Sequence, residues 1–161
     1  MYNSINQLDQ FEYHDAHIEN IKIDGTTMIW QLQELNIKAT TPENCKDIDL
    51  CIKEAFITFD NCTIESVITA ECIKMEQRIP SRLVSKNEYK TALNSCHTIF
   101  NMEECEKTDS FYRATFDLLA SGYDDYIITL NFNQASVVWD TYSGPAWYVK
   151  RKSRKQKGQG E

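Results

Sequence analysis

Glycine is scarce in this chain, with five among 161 residues, and that scarcity narrows the chemistry available. Neither Gly-x-x-x-x-Gly-Lys-Ser/Thr nor Gly-x-Gly-x-x-Gly occurs, so the common phosphate-cradling turns are missing. Gly-x-Ser-x-Gly, the strained elbow that presents a nucleophilic serine, is also absent. Histidine is scarcer still: His14, His17 and His97 are the whole supply, too few for a centre built mainly of imidazoles. The six cysteines (Cys45, Cys51, Cys62, Cys72, Cys96, Cys105) never fall at the Cys-x-x-Cys spacing of a structural zinc clip. No apolar run approaches the roughly 20 residues that span a bilayer as a helix. We expect no cofactor and no bound metal.

Absences at the amino terminus set expectations about location. Met1 to Gln10 has neither a basic leader nor an apolar core, which points to a cytoplasmic protein. In that setting the cysteines read as reduced, buried small hydrophobes and not as a disulfide frame. What is present is an ordinary globular balance, 42% hydrophobic and 25% charged. A chain of this length buries about two-thirds of the surface its unfolded form exposes, enough for a core without staples.

Charge is divided unevenly. Residues 150–161 (Lys-Arg-Lys-Ser-Arg-Lys-Gln-Lys-Gly-Gln-Gly-Glu) carry six basic side chains and one acid, a net of +5, which leaves −12 of the formal −7 on residues 1–149. The division predicts one β-rich globular domain over 1–149 and a disordered basic tail over 150–161, since the tail has no apolar residue with which to dock. An acidic body repels nucleic acid and favours basic partners, so contact with nucleic acid is expected only through the tail.

Hydrophobic alternation predicts strands in preference to helices. His17 to Ile23 makes a first strand, and Asp24-Gly25 supplies a hairpin turn. Met28, Trp30 and Leu32 share one face of the next strand, whereas Leu35, Ile37 and Ala39 fall on the opposite parity, a one-residue slip that predicts a bulge or bend near Gln33 and Glu34. Lys53 to Phe59 and Thr63 to Met75 read as a hairpin about Asp60-Asn61. Asn87 to Leu93 reads as a short helix and Thr98 to Met102 as a brief strand. Phe111 to Leu119, Tyr126 to Phe132 and Ala135 to Trp139 read as a meander. Eight or nine strands of this kind predict a mainly β fold, an antiparallel two-layer sandwich or flattened barrel with one short helix. The alternative is α+β, with the helix laid across a curved sheet.

Three segments carry candidate chemistry. Tyr13, His14, Asp15 and His17 cluster just before the first strand, where imidazole and carboxylate can serve a ligand or simply satisfy a turn. Gly122-Tyr123-Asp124-Asp125 is acidic but lacks the spaced ligands of an EF-hand loop, and a hairpin turn explains it. Trp139, Asp140, Tyr142, Trp147 and Tyr148 gather around Gly144-Pro145. Large rings with polar handles suit either a ligand pocket or a protein-binding hot spot.

The run Phe11-Glu12-Tyr13-His14-Asp15-Ala16-His17-Ile18, the Ile21 and Ile23 strand, Trp30-Gln31-Leu32, and Ala55-Phe56-Ile57-Thr58-Phe59-Asp60-Asn61 together resemble the start of a family of bacterial polymorphic-toxin immunity proteins. That family opens on a Phe-His-Asp-Ala segment before its first strand, and Tyr13 stands here in place of its Phe. The resemblance covers about residues 11–68. It implies a small acidic β-rich protein that neutralises a toxin domain by binding it, without enzymatic activity, and the acidic charge of the body suits a basic protein toxin. Two other readings stand beside it: a small-molecule-binding domain or enzyme with a pocket around Trp139 to Trp147, and a structural homo-oligomeric module.

Overall fold

The computed structural model describes residues 1–74, 76–121 and 125–149. The basic tail at 150–161 and the Gly122 to Asp124 part of the acidic turn lie outside the described residues. The described chain is mainly antiparallel β with one short helix. In chain order the strands are β1 (Tyr2–Ile5), β2 (Phe11–Glu12), β3 (Ala16–Asp24), β4 (Thr27–Ile37), β5 (Leu50–Asp60), β6 (Thr63–Thr69), β7 (Cys72–Lys74), β8 (Gln77–Ile79) and β9 (Arg82–Leu83). After a 3₁₀ turn at Lys86–Glu88 and helix α1 (Tyr89–Ser95) come β10 (Cys96–Lys107), β11 (Tyr112–Ala120), β12 (Asp125–Phe132), β13 (Gln134–Trp139) and β14 (Tyr142–Pro145).

One open sheet runs β1-β13-β5-β4-β3-β10-β11-β12-β6-β9, with β2 added to β4 and β14 to β5, while β7 and β8 pair only with each other. The sheet folds over on itself. Trp30 on β4 and Phe59 on β5 lie 4.9 and 6.1 Å from Phe116 on β11, and Phe59 lies 5.1 Å from Phe132 on β12. Strands β4 and β5 therefore face β11 and β12 across a shared aromatic core. The backbone seam between the layers is short: β3 and β10 pair at His17↔Thr98 and Ala16↔Ile99.

The local rules hold where alternation is regular. Gly25, at φ +62°, turns β3 into β4 through the Asp24↔Thr27 pair, a backbone state that costs glycine little. The slip near Gln33 and Glu34 is real, for Glu34 sits at φ +60° and burial switches from Met28, Trp30 and Leu32 to Leu35 and Ile37. The pairing with β5 nonetheless stays in register from Met28↔Phe59 to Ile37↔Leu50, because β5 makes the same switch between Ile52 and Ala55. Two strands bend together, so neither loses its partner.

Two sequence expectations fail on connectivity. The residues read as a hairpin about Asp60-Asn61 form β5 and β6, which do not pair: β5 lies between β4 and β13, and β6 between β12 and β9. The expected meander breaks after β12 for the same reason, since β13 joins β1 and β5. Both connections cross from one layer to the other side by side, tied by the Asn133 N–H donating to the Asp60 carbonyl at 2.9 Å. Tight turns after apolar strands serve hairpins and layer crossings alike, and only long-range pairing separates them. The brief strand expected at Thr98 to Met102 is the middle of β10, whose twelve residues carry three register shifts against β11. Each shift flips the face presented and hides the alternation. Of the cysteines, Cys96 is buried, Cys45 is exposed and the rest lie between, all as free thiols. Burial pushes the Cys62 and Cys96 thiols up to about 12. Among the described residues no helix is long and apolar enough to cross a membrane.

Candidate functional site

The segment Tyr13 to Asp15 interrupts what would otherwise be one strand. Glu12 pairs with Asn36 and His17 with Gln33, so β2 and β3 flank β4 two residues out of step. The excess is taken up opposite the Glu34 bend, where Asp15 adopts φ +69°. The Ala16 N–H donates to the Tyr13 carbonyl at 2.9 Å, and the Asp15 N–H reaches across the seam to the Ile99 carbonyl at 3.1 Å. This bulge separates the four candidates of the first segment. Tyr13 turns inward, with 2% of its surface exposed. Its hydroxyl donates to the Leu8 carbonyl at 3.1 Å and its ring meets Phe116 edge-on. Burial, followed by the charges of Cys105 and Asp9, raises its phenol well above the ordinary range. His14 turns outward over the seam. Its Nδ1 lies 3.0 Å from Asp15 Oδ2, outside good hydrogen-bond geometry, and its ring lies 5.0 Å from Phe100. His17 points elsewhere, 3.9 Å from the Glu34 carboxylate. His14 and His17 therefore do not converge, and among the described residues no three His, Cys, Asp or Glu side chains are grouped to hold a metal ion.

The aromatic segment is divided in the same way. Trp139 ends β13 and is 2% exposed, stacked on Tyr2 at 5.4 Å and edge-on to Phe11 at 5.8 Å. Tyr142 leans on Tyr2 and Trp139 and donates its hydroxyl to the Glu43 carbonyl at 3.1 Å. Asp140 is exposed beside the amino terminus, 3.4 Å from the Met1 ammonium. Together with Lys53, Glu54 and Phe56, Trp139 and Asp140 border a depression of about 400 Å³.

Trp147 and Tyr148 lie apart from that group. Beyond β14 the Ala146 N–H donates to the Asp49 carbonyl at 2.9 Å, and Tyr148 donates its hydroxyl to Asp49 Oδ2 at 2.8 Å. Asp49 is itself fixed, because its other oxygen accepts the Ala39 N–H at 2.7 Å. Burial first, then the hydrogen bond to Asp49 and the nearby negative charges of Asp49 and Glu12, raise the Tyr148 phenol. The Trp147 ring stands at 83° to Tyr148, 5.4 Å away, and at 48° to His14, 6.2 Å away. Phe100, His14, Trp147 and Tyr148 thus form a continuous run of rings on the surface, with Phe100 47% and Trp147 40% exposed. Glu12, His14, Trp147 and Tyr148 line a shallow depression of about 300 Å³.

Asn36 stands beside Glu12 in the strand register. It pairs with Glu12 on one side and Cys51 on the other, and register partners project to the same face. The Asn36 side chain is fully buried, and neither its Oδ1 nor its Nδ2 has a hydrogen-bond partner. Leaving a buried amide unpaired costs about 1–3 kcal/mol, and in native folds such groups are mostly satisfied by protein or by ordered water.

The structure therefore joins His14 from one candidate segment to Trp147 and Tyr148 from the other, and places Tyr13, His17, Trp139, Asp140 and Tyr142 elsewhere. Glu12, Phe100, Asp49 and Asn36 escaped sequence reasoning. For Phe100 a signal existed, since it follows Ile99 on a strand and so must face outward if Ile99 is core. Compared with protein-family models, curated proteins and solved structures, the chain matches none.

Proposed function

We propose that this protein acts by binding a basic protein partner and does no covalent chemistry of its own, in the manner of an immunity protein that neutralises a toxin. The observation that carries the reading is the run Phe100, His14, Trp147 and Tyr148, with Phe100 and Trp147 exposed, on a body of formal charge −12. Exposed Trp and Tyr are the residues on which interface energy concentrates. A surrounding field of one sign speeds encounter with the opposite sign and selects against like-charged competitors. The resemblance of residues 11–68 to immunity proteins points the same way, and its His14 belongs to the run.

The test is a pull-down with tagged protein from the source organism's lysate, run beside a Trp147→Ala/Tyr148→Ala variant of unchanged circular dichroism. Wild type should retain a basic protein that the variant loses. That protein, expressed alone, should arrest growth and be silenced by an equimolar amount of this chain. Retention that ignores the double substitution, or a retained protein with no toxicity to silence, overturns the proposal. A small-molecule reading has its own supporting observation in the depression beside Asp140 and Phe56. A stoichiometric ligand released from purified protein on denaturation would favour it.

A further inference from the structure

We propose that the free edge of β1 is a self-association surface, at which two copies of this chain pair β1 with β1 in antiparallel and run their sheets together across a two-fold axis. That edge shares no residue with the run Phe100, His14, Trp147 and Tyr148, and self-association there needs no toxin. β1 is one end of the strand order, backed on a single side by β13. The Asn6 N–H donates to the Ala135 carbonyl and the Ala135 N–H to Asn6 Oδ1, both at 2.8 Å. Directly opposed residues in an antiparallel ladder alternate between bonded and non-bonded pairs. Tyr2 and Ser4 therefore turn their backbone groups towards β13, and Asn3 and Ile5 turn theirs away. Asn3 is exposed and Ile5 is 48% exposed, and among the described residues neither backbone finds a partner on that side.

The two ends of the sheet differ in how they are guarded. At the far end β9 covers only Ile68 and Thr69 of β6, but charge and proline stand against further pairing: Pro80 just ahead of β9, Arg82 within it and Glu65 on β6 itself. At the near end β1 and β13 hold no charged residue and no proline, and their register runs without a bulge. The charges next to them in the chain, the Met1 ammonium and Asp140, are paired with each other at 3.4 Å. Charge decides the occupant. Two bodies of formal charge −12 repel when they meet elsewhere, whereas these strands bring no like charges together, and a basic partner finds no carboxylate on them to select it. The spacing is self-complementary too. A two-fold axis at Ser4 sets Asn3 of one copy opposite Ile5 of the other, so that each outward N–H meets an outward carbonyl. A strand of four residues buries little area, which places the association in the weak, transient class.

The test is sedimentation velocity from about 20 µM to about 1 mM protein, a range that brackets weak association, with amide hydrogen exchange followed by NMR at both ends of it. The mass should rise towards that of a dimer. The Asn3 and Ile5 amides should gain protection with concentration, while that of Ser4, already bonded to β13, stays unchanged. Asn3→Pro, which deletes an N–H the single copy does not use, and Ile5→Lys, which charges the edge, should each weaken association about tenfold with circular dichroism unchanged. Leu83→Lys, on the exposed β9, should leave it as it was. Sodium chloride should strengthen association, because screening quiets the repelling bodies and no ion pair holds the interface. A chain that stays monomeric across the range, association indifferent to both β1 variants, or association weakened by salt overturns the proposal. A dimer that persists for hours on dilution has exchanged its strands and overturns it as well.

Discussion

At the scale of single residues, partial burial and packing can be separated by their response to pH. Asp117 on β11 is pushed up to about 6, chiefly by burial and then by the charge of Glu103 and its hydrogen bond, with Asp125 adding to it. A carboxyl whose folded value lies above its unfolded one holds more protons in the native state between the two. Its contribution to stability is therefore full below about pH 4, declines as pH rises to about 6, and is gone above that. Asp117→Asn, which removes the charge and keeps the shape, should raise the melting temperature at pH 7.5 and leave it unchanged at pH 4. The expected gain, discounted for the solvent screening of a part-exposed group, is at most about 2–4 °C, corresponding to ~1 kcal/mol for a domain of this size. Equal effects at both pH values would show that packing and not ionisation governs the site. Phe116, which touches Tyr13, Trp30 and Phe59 at once, is the opposite case. Replacing it with alanine should cost about 3–5 kcal/mol at any pH, readable as a lower denaturant midpoint.

Among the elements, β4 gives the sharpest test, because its bend rests on one residue in an unfavourable backbone state. For a residue with a Cβ, the left-handed region costs roughly 1–2 kcal/mol. Glu34→Gly removes that cost and pays part of it back in unfolded-chain entropy. It should be neutral or stabilising by up to about 1 kcal/mol in urea unfolding, whereas Glu34→Val should destabilise. A destabilising glycine with a harmless valine would mean the bend is held by contacts and not by backbone geometry.

The same strand shows how far sequence reasoning reaches. The parity change from Leu32 to Leu35 was legible because it concerns neighbours in the chain, as was the Gly25 turn. The partner of β5 was not legible, for β6 and β13 have similar alternation and only the packed core chooses between them. For the site the limit was the same. His14 and Trp147 each carried a local signal of their own, but the 6.2 Å between them depends on a bulge, a seam and the Asp49 anchor acting together. Asn36 carried no signal, since an asparagine among strand residues reads as solvent-facing.

For the whole molecule, a formal charge of −7 is a constant pressure against compactness. Screening should relieve it. Raising sodium chloride from ~10 to ~200 mM shortens the Debye length from about 30 Å to under 10 Å, and the melting temperature at pH 8 should rise by a few degrees. A falling melting temperature would mean that attractive pairs such as Arg113 with Glu65, 2.9 Å apart, outweigh the repulsion. The architecture gives that pair help: Asn131 on β12 donates to the same carboxylate at 3.1 Å. The Glu65 carboxyl is held low by these hydrogen bonds, that of Arg113 first.

The edge strand β1 also sets an order of events while the chain is being made. Its ladder partners are Ser136 to Trp139 on β13, so β1 is completed by a strand made about 130 residues after it. At about 5–20 residues per second, the segment Tyr2–Ile5 waits on the order of ten seconds with its hydrogen-bonding edge open and the place of Tyr2 over Trp139 unfilled. Throughout that interval Tyr2–Ile5 is a free edge that the finished β13 of a neighbouring chain could take up in exchange. Crowded polysomes would favour strand-exchanged pairs, and a slow, dilute synthesis would favour the monomer.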